Sequence, residues 1–522
     1  MTIAADLGVL ARGVIGVGFT GTTNENAPLE ALRAFGPGAL ILFARNVGTT
    51  DELRDLVGGL RALGSPPPLI TVDQEGGRVE RIQHGVAALP SAMAVGATGD
   101  VALAENLGTL LGRDLARLGI NVDLAPVADL SLQPRSVVVA TRAYGDDPER
   151  VGAFAGAFAH GLERSGVAAT IKHFPGHGST AEDSHVALPR VSADAATLRA
   201  RDLVPFARAI ADRAASIIIT AHVVIEAFDP DRPATISRNV LTGLLRDELG
   251  YDGIVATDCL EMDAISHGVG TVRGAVEALA AGADLLLISH RLDLAQEAAE
   301  AIVAAVRDGE IPVERLEEAY ARVQALRARL ANVAPPSEPV DDRWPLDAAR
   351  RAVTVLRGEP RLRDGKPVTV ISFEGTAVDN VASSGGRARP DETPSLSSAL
   401  RRRGWKSEVM RVRLEPAPDD VDLLLEHIPA LGDREFVIVT RDAHLFPSQE
   451  KAVERILERA PDALLVSGRA PYDALLWPQA KRVICIYGGQ MVSLEGCADV
   501  ISGRAEVRGT LPVSLTRNGA VH

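Results

Sequence analysis

Cysteine is scarce: Cys259, Cys485 and Cys497 are the only three in 522 residues. An odd count without paired spacing excludes a disulfide framework or a zinc ribbon, and buried, reduced thiols are expected instead. No uncharged apolar run reaches the roughly 20 residues that a bilayer span requires, so no membrane-spanning helix is expected. The opening MTIAADLGVLARGVIGVGFT has no basic stretch ahead of an apolar core and no small-residue cleavage site. We therefore expect no secretory leader and a cytoplasmic location. Excess positive charge is missing too, the formal net charge being −14. That argues against a general affinity for nucleic acid or membrane, since either needs a cationic surface, but leaves room for a neutral or locally held anionic substrate. The glycine-rich piece SSGGRARP (383–390) lacks the G-x-x-x-x-G-K-[ST] arrangement of a phosphate loop and reads as an ordinary loop.

What is present looks globular. An apolar share of 46%, a charged share of 24% and 48 glycines suit a packed enzyme or binding protein. The length calls for several ordinary cores, or for one large barrel with a further domain. Short β-branched runs alternate with longer stretches rich in Ala, Leu and Arg: VIGVGF (14–19), ALILFA (39–44), PLITVD (68–73), NVDLAPVAD (121–129), AATIKHF (168–174), SIIITAHV (217–224), GIVATD (253–258) and DLLLIS (284–289). Their continuous hydrophobicity marks strands buried on both faces, and eight such βα units predict a closed (β/α)₈ barrel over an open sheet. The interval between the third and fourth runs is long enough for extra structure.

The prolines and acidic residues of APPSEPVDDRWPLD (334–347) read as a linker. A helix is expected near 348–356, and strands at 367–373, 434–440, 462–467 and 482–487 follow. The organisation predicted is a catalytic barrel at 1–333, a linker and junction helix at 334–364, and a smaller α/β sandwich-like domain at 365–522.

Several runs end in polar groups: Arg45, Asp73, Asp129, Lys172 with His173, His222 and Asp258. In a barrel these ends line the active-site mouth. The sharpest segment is IKHFPGHGSTAEDSH (171–185), whose protonatable groups are too many for packing alone. Its glycines allow close backbone approach, and the Asp-Ser-His spacing lets Asp183 accept from the His185 ring, the logic of a carboxylate-oriented histidine.

Together, ILFARN (41–46), VDQEGGRVERI (72–82), TRAYGDDP (141–148), KHFPGHGSTAEDSH and GIVATDCLEMDAI (253–265) resemble glycoside hydrolase family 3, in its β-N-acetylhexosaminidase branch. The resemblance spans nearly all of residues 10–330. It implies that Asp258 attacks the anomeric carbon, that His185 is the acid/base, and that Asp183 holds His185 in register, so that configuration is retained. It further implies sugar binding by Asp73, Arg81, Arg142, Lys172 and His173. The family's Asn and V-I-G ahead of the arginine are replaced here by PRSVVVATRAYG, which leaves that loop's geometry open.

Glu75, Arg78 and Asp263 read as ion-pairing residues around the mouth, His177 is balanced between site and structure, and Cys259 is expected to point into packing. His173, His177, Asp183 and His185 are ligand types found in zinc hydrolases, but H-x₃-H-x₅-D-x-H matches no common pattern and H-E-x-x-H is absent. Neither a metal nor a cofactor is expected. The resemblance implies hydrolysis of a terminal β-linked N-acetylglucosaminide and turnover of peptidoglycan fragments. Phosphorolysis by the same residues and an inactive sugar-binding protein are the alternatives. The partner is then a small carbohydrate; homodimerisation stays open.

Overall fold

The computed structural model describes residues 6–180, 188–333, 340–374, 395–430 and 432–515. Its first part is a ring of eight strands: β1 (Ile15–Gly18), β2 (Ala39–Leu42), β3 (Leu69–Val72), β4 (Val122–Asp123), β5 (Ala168–Phe174), β6 (Ile217–Thr220), β7 (Ile254–Ala256) and β8 (Leu286–Ile288). All neighbours pair in parallel in the order β7-β6-β5-β4-β3-β2-β1-β8. The ring closes through a parallel bridge between Ala256 and Leu285. Each strand falls within one of the eight apolar runs.

Both faces of these strands are buried, which is why the runs are apolar without alternation. Inward, Ala39, Ile41, Leu69, Val122, Ala168, Ile217, Ile219, Ile254, Ala256, Leu285 and Leu287 fill the barrel. Outward, residues such as Leu40, Ile70, Ile218, Val255 and Leu286 meet the surrounding helices. The helix Val313–Leu330 caps the lower end, adding Val323, Leu326 and Leu330 to the interior cluster. Below, Asp284 is fully buried and takes charge-assisted bonds from Arg246, Arg315 and Arg322. With that end sealed, ligand access is confined to the carboxy-terminal ends of the strands. The long interval between β3 and β4 does hold extra structure: a short ribbon (Gln74–Gly76 with Val79–Glu80) and the helices Ala92–Ala97 and Val101–Arg117. None of the helices among the described residues is long and apolar enough to cross a membrane.

The second sheet has six strands: β9 (Thr354–Arg357), β10 (Val368–Glu374), β11 (Ser407–Arg413), β12 (Glu435–Thr440), β13 (Leu464–Ser467) and β14 (Arg482–Cys485). Their order is β9-β14-β13-β12-β10-β11, with only β9 antiparallel. Helices cover both faces, giving three layers. Leu396, Leu400, Leu494 and Ile501 pack on one face, and Leu424, Ile428, Val453 and Ile456 on the other.

Two expectations change here. The junction helix spans Trp344–Ala352, and the residues after it form β9, so the sheet draws an edge strand from the stretch read as linker and junction. Strand β11 was not anticipated; it lies at the opposite edge, and its S-E-V-M-R-V-R, with one buried residue in seven, lacks the apolar density of a buried strand.

Candidate active site at the barrel mouth

The alternation that fills the barrel also aims the polar groups. Leu69 and Asp73 are in phase along β3, as are Ala168 and Lys172 along β5, and Ala256 and Asp258 along β7. Continued past the last apolar layer, the inward phase delivers two carboxylates and an ammonium to the mouth.

Lys172 Nζ lies 2.8 Å from Asp73 Oδ1 and 2.6 Å from Glu75 Oε1. Arg142 grips Glu75 bidentately, Nε to Oε2 and Nη2 to Oε1 both at 2.7 Å. Arg81 Nη2 stands 3.4 Å from Asp73 Oδ2. Burial works to raise both carboxyls, but Lys172 and Arg81 outweigh it at Asp73, and Arg142 and Lys172 outweigh it at Glu75, so both are held below the usual carboxylate range. Burial likewise opposes the charge on Lys172, and Asp73 with Glu75 reverses it, keeping the ammonium protonated. The result is a fixed set of charged donors and acceptors. Lys172 spends two hydrogens on Asp73 and Glu75 and retains a third, and Asp73 keeps lone pairs for hydroxyl donors.

Local bonds explain how short loops hold this geometry. Gln74 brackets the 74–82 turn: its Oε1 accepts from the backbone N–H groups of Arg81 (2.9 Å) and Ile82 (3.0 Å), and its Nε2 donates to Ile82 O (2.9 Å). This folds Arg81 back over Asp73. Asp123, fully buried at the end of β4, accepts from Gln74 N at 3.0 Å, and burial pushes its carboxyl well above the ordinary range.

Asp129 organises the histidines. Its Oδ2 lies 2.6 Å from His173 Nδ1, and its Oδ1 accepts from His177 N at 2.7 Å. A proton on His173 Nδ1 leaves Nε2 as an acceptor toward Arg142 Nη2, 3.5 Å away. His177 Nδ1 lies 2.6 Å from Thr180 Oγ1. Burial lowers the His177 pKa, against the opposing pull of Asp129 and Asp258.

Asp258 lies two residues past the end of β7, and its Oδ1 accepts from Cys259 N at 2.7 Å. His222 Nε2 donates to Cys259 O at 2.9 Å, pinning the turn beyond the carboxylate. Cys259, expected to point into packing, also has polar neighbours: with Glu261 and His290 its side chain forms a group whose ligand-type atoms all lie within 4.8 Å of one another. A cation already attends that group, since Arg45 Nη1 is 3.1 Å from His290 Nδ1. The Cys259 thiol is pushed up to about 11 by burial.

Asp73, Arg81, Arg142, Lys172 and His173 are thus brought into one cluster, with Asp258 at the end of another strand of the same mouth. Asp183 and His185 lie outside the described residues. Glu75, read as an ion-pairing residue, is the cluster's central acceptor. Asp129 was visible as a strand-end polar residue, but its pairing with two histidines depends on contacts across 44 and 48 residues of chain.

The Glycosyl hydrolase family 3 N terminal domain model matches residues 16–326. The chain belongs to glycosyl hydrolase family 3. A Pseudomonas aeruginosa protein named Beta-hexosaminidase is 42% identical over 279 residues, covering 53% of this chain and 82% of the relative. Another Beta-hexosaminidase, from Chromobacterium violaceum, is 38% identical over 325 residues, covering 60% and 89%. A family 3 β-N-acetylglucosaminidase structure from Paenibacillus sp. is 35% identical, covers 98% of this chain and 99% of that one, and superposes with a TM-score of 0.90. This family 3 chain is therefore a glycoside hydrolase.

Proposed function

We propose that this glycoside hydrolase removes terminal non-reducing N-acetyl-β-D-glucosamine with retention of configuration, acting on small glycans such as peptidoglycan fragments. The observation that carries the substrate reading is the likeness, along nearly the whole chain, to the Paenibacillus β-N-acetylglucosaminidase. In this reading Asp258 attacks the anomeric carbon as the glycosidic bond breaks, and His185 gives its proton to the departing oxygen. His185 then takes a proton from water, whose oxygen displaces Asp258 from the same face that the leaving group occupied. Asp183 orients His185, and Asp73, Arg81, Arg142, Lys172 and His173 hold the sugar.

The test is release of nitrophenol from the aryl N-acetyl-β-glucosaminide and, in parallel, from the β-glucoside, with and without phosphate and with the product anomer identified. Preference for the N-acetyl sugar and a β-configured free sugar support the proposal. A sugar 1-phosphate makes the reaction phosphorolysis, and activity confined to the glucoside overturns the substrate. Asp258→Ala is expected to lower kcat by about 10³-fold or more with the fold intact. His185→Ala is expected to slow poor leaving groups by about 10²-fold or more while sparing activated aryl ones. Equal losses on both would remove His185 from the acid role.

A further inference from the structure

The loop after β4 ends in Arg142, and its carbonyls hold the guanidinium groups at the mouth. Val138 O accepts from Arg142 Nη1 at 3.0 Å, and Val137 O from Arg78 Nη2 at 2.7 Å. Within the loop the bonds are local: Ser136 N to Gln133 O (2.9 Å), Val139 N to Ser136 Oγ (3.3 Å) and Arg142 N to Val139 O (2.8 Å). Glu75 fixes the Arg142 guanidinium from the barrel side, while the loop backbone whose carbonyls meet both arginines takes further support from outside.

That support comes from the carboxy-terminal domain. His444 Nε2 donates to Pro134 O at 2.9 Å, while its Nδ1 lies 2.8 Å from Asp473 Oδ1. Asp473 is fully buried and also accepts from Thr440 Oγ1 (2.7 Å) and from the backbone N–H of His444 (3.0 Å), so it is anchored independently of the ring. The Tyr472 ring meets the imidazole edge-on, 5.5 Å between centroids, and its hydroxyl lies 3.3 Å from Ser131 Oγ at the start of the same loop. Asp442 also acts on the ring and is paired with Arg469 at 3.1 Å, and Asp146 acts on Tyr472. This cluster lies where the second domain meets the loop after β4.

We propose that the carboxy-terminal domain sets the sugar pocket through His444, a positioning residue that clamps Pro134 and so fixes the carbonyls of Val137 and Val138 against Arg78 and Arg142. The proposal rests on the reading that Arg142 belongs to the sugar site. Both ring nitrogens face oxygen acceptors, so the clamp is complete only when the ring carries both hydrogens. Burial disfavours that charge, but the bond to Asp473 outweighs it and raises the His444 pKa. Raising the pH through that value removes one hydrogen and loosens the clamp.

The experiment compares hydrogen exchange and steady-state kinetics of the wild type with His444→Phe and His444→Gln, the latter retaining a side-chain donor. In His444→Phe the amides of Ser136, Val139 and Arg142 are expected to exchange about tenfold faster, with other barrel amides unchanged. KM for the aryl N-acetyl-β-glucosaminide should rise about tenfold with kcat within about threefold, and His444→Gln should recover part of this. Wild-type exchange in the loop, or a lowered melting temperature with unchanged KM and loop exchange, overturns the proposal. If His444→Phe does not fold, KM between about pH 6 and 9 serves, since the wild type should show an alkaline rise that His444→Gln lacks, and a flat wild-type profile overturns it. Loop exchange reports the clamp whatever the substrate, so failure of the N-acetylglucosaminide reading and failure of this one are separate results.

Discussion

Glu75 accepts from two cationic side chains, Lys172 at 2.6 Å and Arg142 through two bonds of 2.7 Å, with its own side chain only 6% exposed. Removing it strands buried positive charge, because Lys172 keeps Asp73 but Arg142 loses both carboxylate bonds. Glu75→Ala is therefore expected to cost about 3 kcal/mol or more of stability and to raise KM. A melting curve and a KM within error of wild type would show that the cluster holds without it. Glu80 behaves in the opposite sense. It accepts from Leu89 N at 3.2 Å, and burial pushes its carboxyl from an ordinary 4.5 to about 8. Over that interval the folded state binds a proton that the unfolded state has released, so stability is full at acid pH and falls as pH rises toward 8. Glu80→Gln keeps the acceptor and removes the titration. Its melting temperature should exceed wild type near pH 8 and approach it near pH 5, as thermal melts across that range would show. Asp73, Lys172 and Asp258 were legible as polar residues closing apolar strand runs, with roles supplied by the family resemblance; the roles of Glu75 and Asp129 were not, because their partners lie tens of residues away in the chain.

At the level of elements, the segment after β5 depends on close backbone approach. A Cβ on Gly178 would stand 1.9 Å from Leu130 O, a contact no side chain can make. Gly178→Ala should lift this segment from the 129–130 stretch, weaken the 2.7 Å bond from His177 N to Asp129, and disturb the run of sequence leading to Asp183 and His185. We expect a fall in kcat/KM of about tenfold or more, exceeding what the loss of thermal stability explains. Wild-type kinetics would mean that the loop tolerates the shift. The eight barrel strands were legible because each is apolar on both faces and bounded by polar turns. Strands β9 and β11 were not, since an edge strand needs only one covered side and the signal thins accordingly: Thr354–Arg357 is a single buried residue followed by three half-exposed ones.

At the scale of the whole molecule, the composition at 334–347 marks a linker between two domains, and the packing joins them through a shared core. Met93, Ala94 and Ala97, from the helix inserted between β3 and β4, are fully buried in the same apolar cluster as Phe373, Ile438 and Val483 of the second domain. The same insertion is tied across by Ser91 Oγ donating to Tyr487 O (2.7 Å), Thr510 N donating to Ala97 O (3.0 Å) and Arg351 paired with Asp100 (2.7 Å). Such sharing cannot be read from composition, because a short apolar helix, A-M-A-V-G-A, does not say which core it enters until its partner is known. Interfaces within a chain that are small and polar allow domains to unfold separately, whereas a shared apolar core couples them. Scanning calorimetry of the full chain should therefore give one cooperative transition, shifted as a whole by Met93→Ala, which removes buried volume worth about 2–5 kcal/mol. Two resolved transitions, with only one moved by Met93→Ala, would mean that barrel and sheet unfold independently and that the insertion belongs energetically to just one of them.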